Sequence, residues 1–405
     1  MAFFDSKNRL FDYFNKHSSE KKDELDRHKT RSPLLKAYTI ETSADTDRET
    51  FIKELGSYVD LSELNGDIFE LEDDNKREDN KPLGWLEPIS DRYFILYSTQ
   101  KVGYVQRKVE KMIKKSPLLD SLWIADSMYY SLFKYIKENY SNYRFTRMKM
   151  DFNNELKWKL DKKVEKQMST ELDEINEDLL TNETRHDLVL SERINVMDEL
   201  IPQMRDMKLL SAARSISMLR IPGNSGGGFD IYYNGKATNR SKSFIDFRNN
   251  LKFIIKIYSY LNKLIEEKTW MKQKQYNFKS SGTHINGSPV IIDFKQELDI
   301  DTFNNFIIKV FEKRSSKFKL WGEPLRLTKR KYHVYGLDLH LWQEIFLELT
   351  PEVFVLVLPE GVCGNTVNRF ITSIQHYLEP DFSVYIGNEE YEELIDESMR
   401  EGLKL

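Results

Sequence analysis

The stretch Phe229-Asp230-Ile231-Tyr232-Tyr233-Asn234-Gly235-Lys236-Ala237-Thr238 places β-forming residues on both sides of an Asn-Gly pair. Two such runs predict an antiparallel hairpin closed by a two-residue type I′ turn, with both central residues at positive φ. With this hairpin standing among a mixed α/β N-terminal region, a helical hairpin and a C-terminal α/β module, the expected fold class is multidomain α+β. Directly upstream lie Pro222-Gly223-Asn224-Ser225-Gly226-Gly227-Gly228 and, before them, a strand from Ser215 to Ile221. Downstream, Ser243 with Asp246 three residues on has the spacing of a capping box and starts a helix from Phe244 to about Lys268.

Further toward the N-terminus the pattern is mixed. Strands are expected at Ala37 to Thr42, Asp67 to Leu71, Asp91 to Ser98 and Tyr143 to Phe152. Helices are expected at Asp45 to Val59, capped by Asp45 or Thr46, at Val102 to Lys114 and at Ser121 to Asn139. Glu72 to Lys81 contains no apolar residue and reads as a linker. At the start, Phe3, Phe4, Leu10, Phe11 and Phe14 share one side of a helix. That helix either packs on its own domain or docks on a partner, and the lack of a Lys/Arg-rich polar face argues for the first.

Residues 153–210 carry two narrow apolar stripes, Leu156 to Leu179 and Leu188 to Met204, which predict an antiparallel helical hairpin or a dimer seam. Beyond the polar stretch from Trp270 to Ser288, the order β-α-β-β-α-β predicts a ferredoxin-like module with room for an added hairpin. The expected division is therefore an N-terminal helical arm (1–35), an α/β domain (36–152), the helical hairpin (153–210), a β-hairpin with its long helix (211–270) and the ferredoxin-like domain (285–405).

Composition narrows the chemistry. With 61 Lys plus Arg against 65 Asp plus Glu, the net charge is −4, so contact with nucleic acid must come from a local patch. One cysteine excludes a disulfide scaffold and a Cys-cluster metal site. The absence of an eighteen-residue apolar run or a signal-like N-terminus predicts a cytoplasmic chain without a membrane contact.

The main basic cluster spans Lys309 to His333, where Lys309, Lys313, Arg314, Lys317, Lys319, Arg326, Lys329, Arg330 and Lys331 face only Glu312 and Glu323. Phe318, Trp321, Tyr332 and Tyr335 are interleaved, a combination that can track phosphates and stack on bases. The plain alternative is a solvated ribbon whose aromatics point into the core. A second phosphate candidate joins Lys236, Arg240 and Lys242 to the start of the Phe244 helix, with Arg248 one turn inside. The glycine run lacks Gly-Lys-Ser/Thr and leads into a hairpin, so it is no phosphate loop by pattern. A weaker basic stretch runs from Lys101 to Lys115, with Arg144, Arg147 and Lys149 on a strand that could lie near it.

Catalytic sets are incomplete. Asp230 with Lys236 lacks the second carboxylate of a metal-dependent nuclease, and His333, Asp338, His340 and Glu344 are loosely spaced for a metal. Cys363 stands before a helix start, where its pKa would be lowered, with His340 or His376 as the available bases. No catalytic residue, metal site or cofactor is assigned. The expectation is a noncatalytic nucleic-acid-binding or scaffold subunit, with protein partners or self-association through 153–210 or the N-terminal arm. The alternatives are a metal-dependent phosphodiesterase and a pure protein adaptor. A place in a defence or mobile-element assembly is suggested only by the lack of familiar enzyme motifs, and no residue carries it.

Overall fold

The computed structural model describes residues 4–27, 33–43, 45–64, 68–72, 82–152, 187–206, 213–224, 226–275, 283–312 and 317–404. Mixed helices and antiparallel sheets make the fold α+β. An eleven-stranded sheet is built from β1 (Lys36–Glu41), β2 (Asp60–Leu64), β3 (Ile68–Glu72), β4 (Gly84–Pro88), β5 (Tyr93–Ser98), β6 (Asp120–Ser121), β7 (Phe145–Phe152), β8 (Asp187–Arg193), β9 (Ala213–Pro222), β10 (Gly228–Tyr232) and β11 (Lys236–Asn239). Its order is β2-β3-β4-β5-β1-β11-β10-β9-β7-β8, with β6 paired to β1. After the small pair β12 (Lys272–Gln275) and β13 (Thr283–Asn286), a second sheet contains β14 (Val290–Phe294), β15 (Leu320–Thr328), β16 (Lys331–Asp338), β17 (Gln343–Leu349), β18 (Val353–Val357), β19 (Phe382–Ile386) and β20 (Glu389–Glu390). That sheet runs β15-β16-β17-β18-β14-β19-β20, with every neighbouring pair antiparallel.

The helices are α1 (Lys7–Asp26), α2 (Arg48–Gly56), α3 (Val102–Lys115), α4 (Asp126–Asn139), α5 (Ile194–Asp206), α6 (Phe244–Thr269), α7 (Ile300–Ile307), α8 (Asn365–Tyr377) and α9 (Tyr391–Leu403). No helix among the described residues is long and apolar enough to cross a membrane.

Strand period explains where the cores lie. Every residue of β5 is buried, because Tyr93, Ile95 and Tyr97 enter the main core while Phe94 and Leu96 enter a smaller one beneath α2 and α3. The long helix α6 buries Phe244, Phe247, Leu251, Ile254, Tyr258, Leu261 and Ile265, a run of three- and four-residue steps. The main core continues from Leu10 of α1 to Met399 of α9. The N-terminal helix is part of it: Leu10 and Phe14 are fully buried, and the Phe14 ring lies 4.8 Å from Phe244 and 5.3 Å from Trp85.

Several expectations need correction. The 229–238 hairpin forms, but Asn234 does not take positive φ. The Tyr232 carbonyl accepts from the Gly235 N–H at 3.0 Å, and Gly235 alone has φ +72°, so the loop holds three residues and ends in a left-handed glycine. Its tight approach to Leu122, whose carbonyl a Cβ would meet at 2.9 Å, gives glycine a second reason. Leu188 and Val189 belong to strand β8 and not to a helix, because β7 offers them a ladder partner; α5 starts only at Ile194. The remainder of the expected helical hairpin, 153–186 and 207–210, and the linker residues 73–81 lie outside the described residues. The helix expected from Ser121 starts at Asp126, since Asp120 and Ser121 pair with β1, and α2 is capped by Asp47.

The two sheets are joined by buried charge. Arg369 of α8 donates to Asp120 of β6 and to Asp338 of β16, and all three are at most 1% exposed. Arg92 spans Glu41 of β1 at 2.8 Å and Glu266 of α6 at 2.7 Å.

Candidate nucleic-acid interface

Alternation on β7 turns Met148 and Met150 into the core and Phe145, Arg147 and Lys149 to the opposite face. β9 does the same, burying Leu219 and Ile221 and turning Arg220 outward. The ladder then aligns Ser191, Arg147, Arg220, Asp230 and Thr238 directly opposite one another across β8, β7, β9, β10 and β11. Arg147 and Arg220 are thus cross-strand neighbours of like charge, a pairing that is unfavourable unless an anion sits nearby. Asp230 supplies part of that anion. It is 1% exposed and accepts from Arg220 Nε at 2.6 Å and Nη2 at 3.1 Å, and from Arg240 Nε at 2.5 Å. Arg147 receives none of this: its Nε is buried without a hydrogen-bond partner.

At the end of this row the glycine bend closes a cavity of about 460 Å³, lined by Lys22, Tyr143, Arg144, Phe145, Arg220 and Arg240, with Leu25, Pro222, Gly227 and Gly228 completing its wall. Two of the glycines are demanded by geometry. Gly227 has φ +69°, and a Cβ there would lie 2.3 Å from the Arg240 carbonyl; at Gly228 it would lie 2.3 Å from the Ile221 carbonyl. The expected capping box is altered to the same end. Ser243 accepts from the Asp246 N–H at 3.0 Å, but the Asp246 carboxylate reaches to Asn224, accepting from its N–H at 2.7 Å and its side-chain amide at 3.0 Å. The helix start thereby anchors the bend.

Around the cavity mouth, Tyr143 is 74% and Phe145 57% exposed, and Arg193 lies over the Phe145 ring. Exposed aromatics beside arginines offer stacking worth about 1–3 kcal/mol per base.

Of the hairpin residues expected to bind phosphate, Arg240 alone enters the cavity. Lys236 turns toward α3, donating to Gln106 at 3.0 Å above the Tyr232 ring, and burial lowers its pKa. Lys242 pairs with Asp23 at 2.8 Å, and Arg248 holds the Glu87 carboxylate from two nitrogens.

The ribbon cluster is dispersed likewise. Lys313 and Arg314 lie outside the described residues. Lys319 is buried, donates to the Ser116 and Leu119 carbonyls, and is pulled down to about 8 by desolvation. Arg330 pairs with Glu297 and Glu352, Lys331 with Glu348, and Lys317 sits over the Tyr377 ring. Arg326, bonded to the Thr328 carbonyl, and Lys329 stay exposed on the ribbon.

The catalytic candidates are likewise engaged. Both Asp230 oxygens face guanidinium groups. His333 pairs with Glu348, while His340 is buried, with Nδ1 at 3.0 Å from the Pro117 carbonyl and its pKa pushed down to about 4 by desolvation. Among the described residues no three His, Cys, Asp or Glu side chains cluster as metal ligands. Cys363 reverses its expectation: burial raises the thiol's pKa well above the ordinary value, and its neighbours are Arg92 at 3.1 Å and Glu41 at 3.7 Å, with neither histidine among them.

Arg220 and Lys22 stand in no motif, and Arg144 enters the sequence reading only with Arg147 and Lys149 beside the weaker basic stretch; Arg147 and Lys149 alternating with Met148 and Met150, and Arg220 between Leu219 and Ile221, carry a period-two signal.

The model of the family described as MJECL33-like protein matches residues 4–395. A protein of Methanocaldococcus jannaschii, described as uncharacterized protein MJECL33, is 24% identical over 368 residues, covering 84% of each chain. No solved structure matches significantly.

Proposed function

The chain belongs to the MJECL33-like protein family, and from that premise we propose that it is a noncatalytic nucleic-acid-binding protein whose contact surface is the arginine row of the large sheet. The observation that carries this reading is the pair Arg147 and Arg220, set opposite one another on a partly open face with one Arg147 nitrogen unpartnered. Exposed Phe145 and Tyr143 beside them supply sequence-tolerant stacking. The C-terminal ribbon takes a lesser part in this reading, through Arg326 and Lys329, because its other described cations are buried, paired or stacked. A ferredoxin-like description of the C-terminal half belongs to the same proposal, supported by β14 lying between β18 and β19 with α7 and α8 in the connections.

The test is fluorescence anisotropy with a labelled mixed-sequence single-stranded 20-mer. Binding is expected to weaken with salt, with a slope of about −0.7 per phosphate neutralised. Arg147→Glu is expected to weaken it at least tenfold with an unchanged melting temperature. Absent or salt-insensitive binding by the unaltered protein overturns the proposal.

A further inference from the structure

We infer that the cavity at the glycine bend is a site for a phosphate monoester, the terminal phosphate of a nucleotide. This rests on the nucleic-acid reading for its source but not for its chemistry. Lys22, Arg144, Arg220 and Arg240 bring four cations to the cavity, and among the described residues the carboxylates ion-paired with them are Asp230 and Asp26, which leaves a surplus of two positive charges within this set, with Asp246 engaged on the bend by Asn224. A monoester carries close to two negative charges at neutral pH, whereas an internal phosphodiester carries one. The surplus therefore matches a strand end or a free nucleotide better than the middle of a strand.

Donor supply and shape agree with this assignment. Asp230 fixes Arg220 by its Nε and Nη2 and Arg240 by its Nε alone, so among the described residues the two outer nitrogens of Arg240 have no acceptor. Arg144 forms no ion pair among the described residues and is only part-exposed. Guanidinium groups held in place by a carboxylate lose little freedom on meeting an anion. The volume of about 460 Å³ lies within the range of about 300–1,000 Å³ usual for small-ligand sites, and Tyr143 and Phe145 stand where the base attached to that phosphate would stack.

The experiment compares one labelled 10-mer bearing a 5′-phosphate, a 3′-phosphate or hydroxyl groups at both ends, with adenosine monophosphate and inorganic phosphate as competitors. One phosphorylated end is expected to bind at least tenfold more tightly than the hydroxyl form, and adenosine monophosphate is expected to compete. The preference should vanish in Arg240→Gln and in Arg144→Gln; the second variant leaves no carboxylate unpaired and so keeps the fold. If all three oligonucleotides bind alike, the monoester site is refuted while the nucleic-acid reading survives. If no oligonucleotide binds but adenosine monophosphate does, and Arg144→Gln abolishes it, the site stands as a mononucleotide pocket and the nucleic-acid reading falls. Absence of all binding overturns both.

Discussion

Two arginine-carboxylate clusters in this molecule are built in opposite proportions. In one, Arg369 serves two carboxylates, Asp120 and Asp338, and all three groups are at most 1% exposed. Its acceptors are fully used: Asp120 also takes the Asn365 amide at 3.0 Å and is held down to about 2, and Asp338 takes Thr366 and the His340 N–H. In the other cluster a single buried carboxylate, Asp230, serves two part-buried arginines, 21% and 32% exposed. Surplus acceptors sealed from water join parts of a fold. Surplus donors open to water leave nitrogens without an acceptor, the condition on which the proposed site rests.

The sharpest way to break this contrast is to remove the central arginine. Arg369→Met removes the ion-pair partner of two buried carboxylates and leaves only the Lys319 charge near them, and is expected to cost about 3–5 kcal/mol in urea unfolding. Arg240→Gln, with Asp230 still held by Arg220, is expected to cost under about 1 kcal/mol. Comparable losses in the two variants would show that the clusters do the same work.

Next in size is a pH effect confined to the closed region. Burial pushes Glu41 up to about 7 despite Arg92, so between pH 4.5 and 7 the folded chain keeps a proton that the unfolded chain has released. This group makes stability rise on acidification. His340, pulled down to about 4 by burial, acts the other way: between pH 6.5 and 4 only the unfolded chain takes up the proton, and stability falls on acidification. Each slope is at most about 1.4 kcal/mol per pH unit. The two oppose each other, so relative to the unaltered protein the melting temperature from pH 6.5 to 4.5 should rise toward acid in His340→Gln and fall toward acid in Glu41→Gln. Slopes of one sign in both variants would contradict this assignment.

A smaller effect tests the open cluster. Gly227→Ala forces a side chain into left-handed backbone against the Arg240 carbonyl, at about 1–2 kcal/mol, and should also weaken adenosine monophosphate binding by displacing Arg240. Smallest of all is Arg330→Ala, which removes surface pairs to Glu297 and Glu352; a stability change under about 1 kcal/mol and unaltered oligonucleotide affinity are expected.

Much of the local structure was legible because it is set by neighbours in sequence. β5, α3, α6, α8 and the hairpin 229–238 follow their local residue pattern, and Ser243 does cap the start of α6. Boundaries moved where a distant partner competed: β7 drew Leu188 and Val189 out of an expected helix, and β1 drew Asp120 and Ser121 out of another. The site was half legible for the same reason. Arg240 is marked in the sequence by its approach to the start of the Phe244 helix, yet its companions are Lys22 of α1, Arg144 just before β7 and Arg220 of β9, brought to it by the fold.

What the amino-acid sequence determined by itself is the fold class, the position of most helices and strands, and the fact that any polyanion contact must be local in a chain of net charge −4. Only the tertiary structure decided which cations are free. Charge in a sequence is a property of the residue, but its availability depends on burial and on the carboxylate it meets, and Glu87 for Arg248, Glu352 for Arg330 and Asp230 for Arg240 are met only through the folded chain.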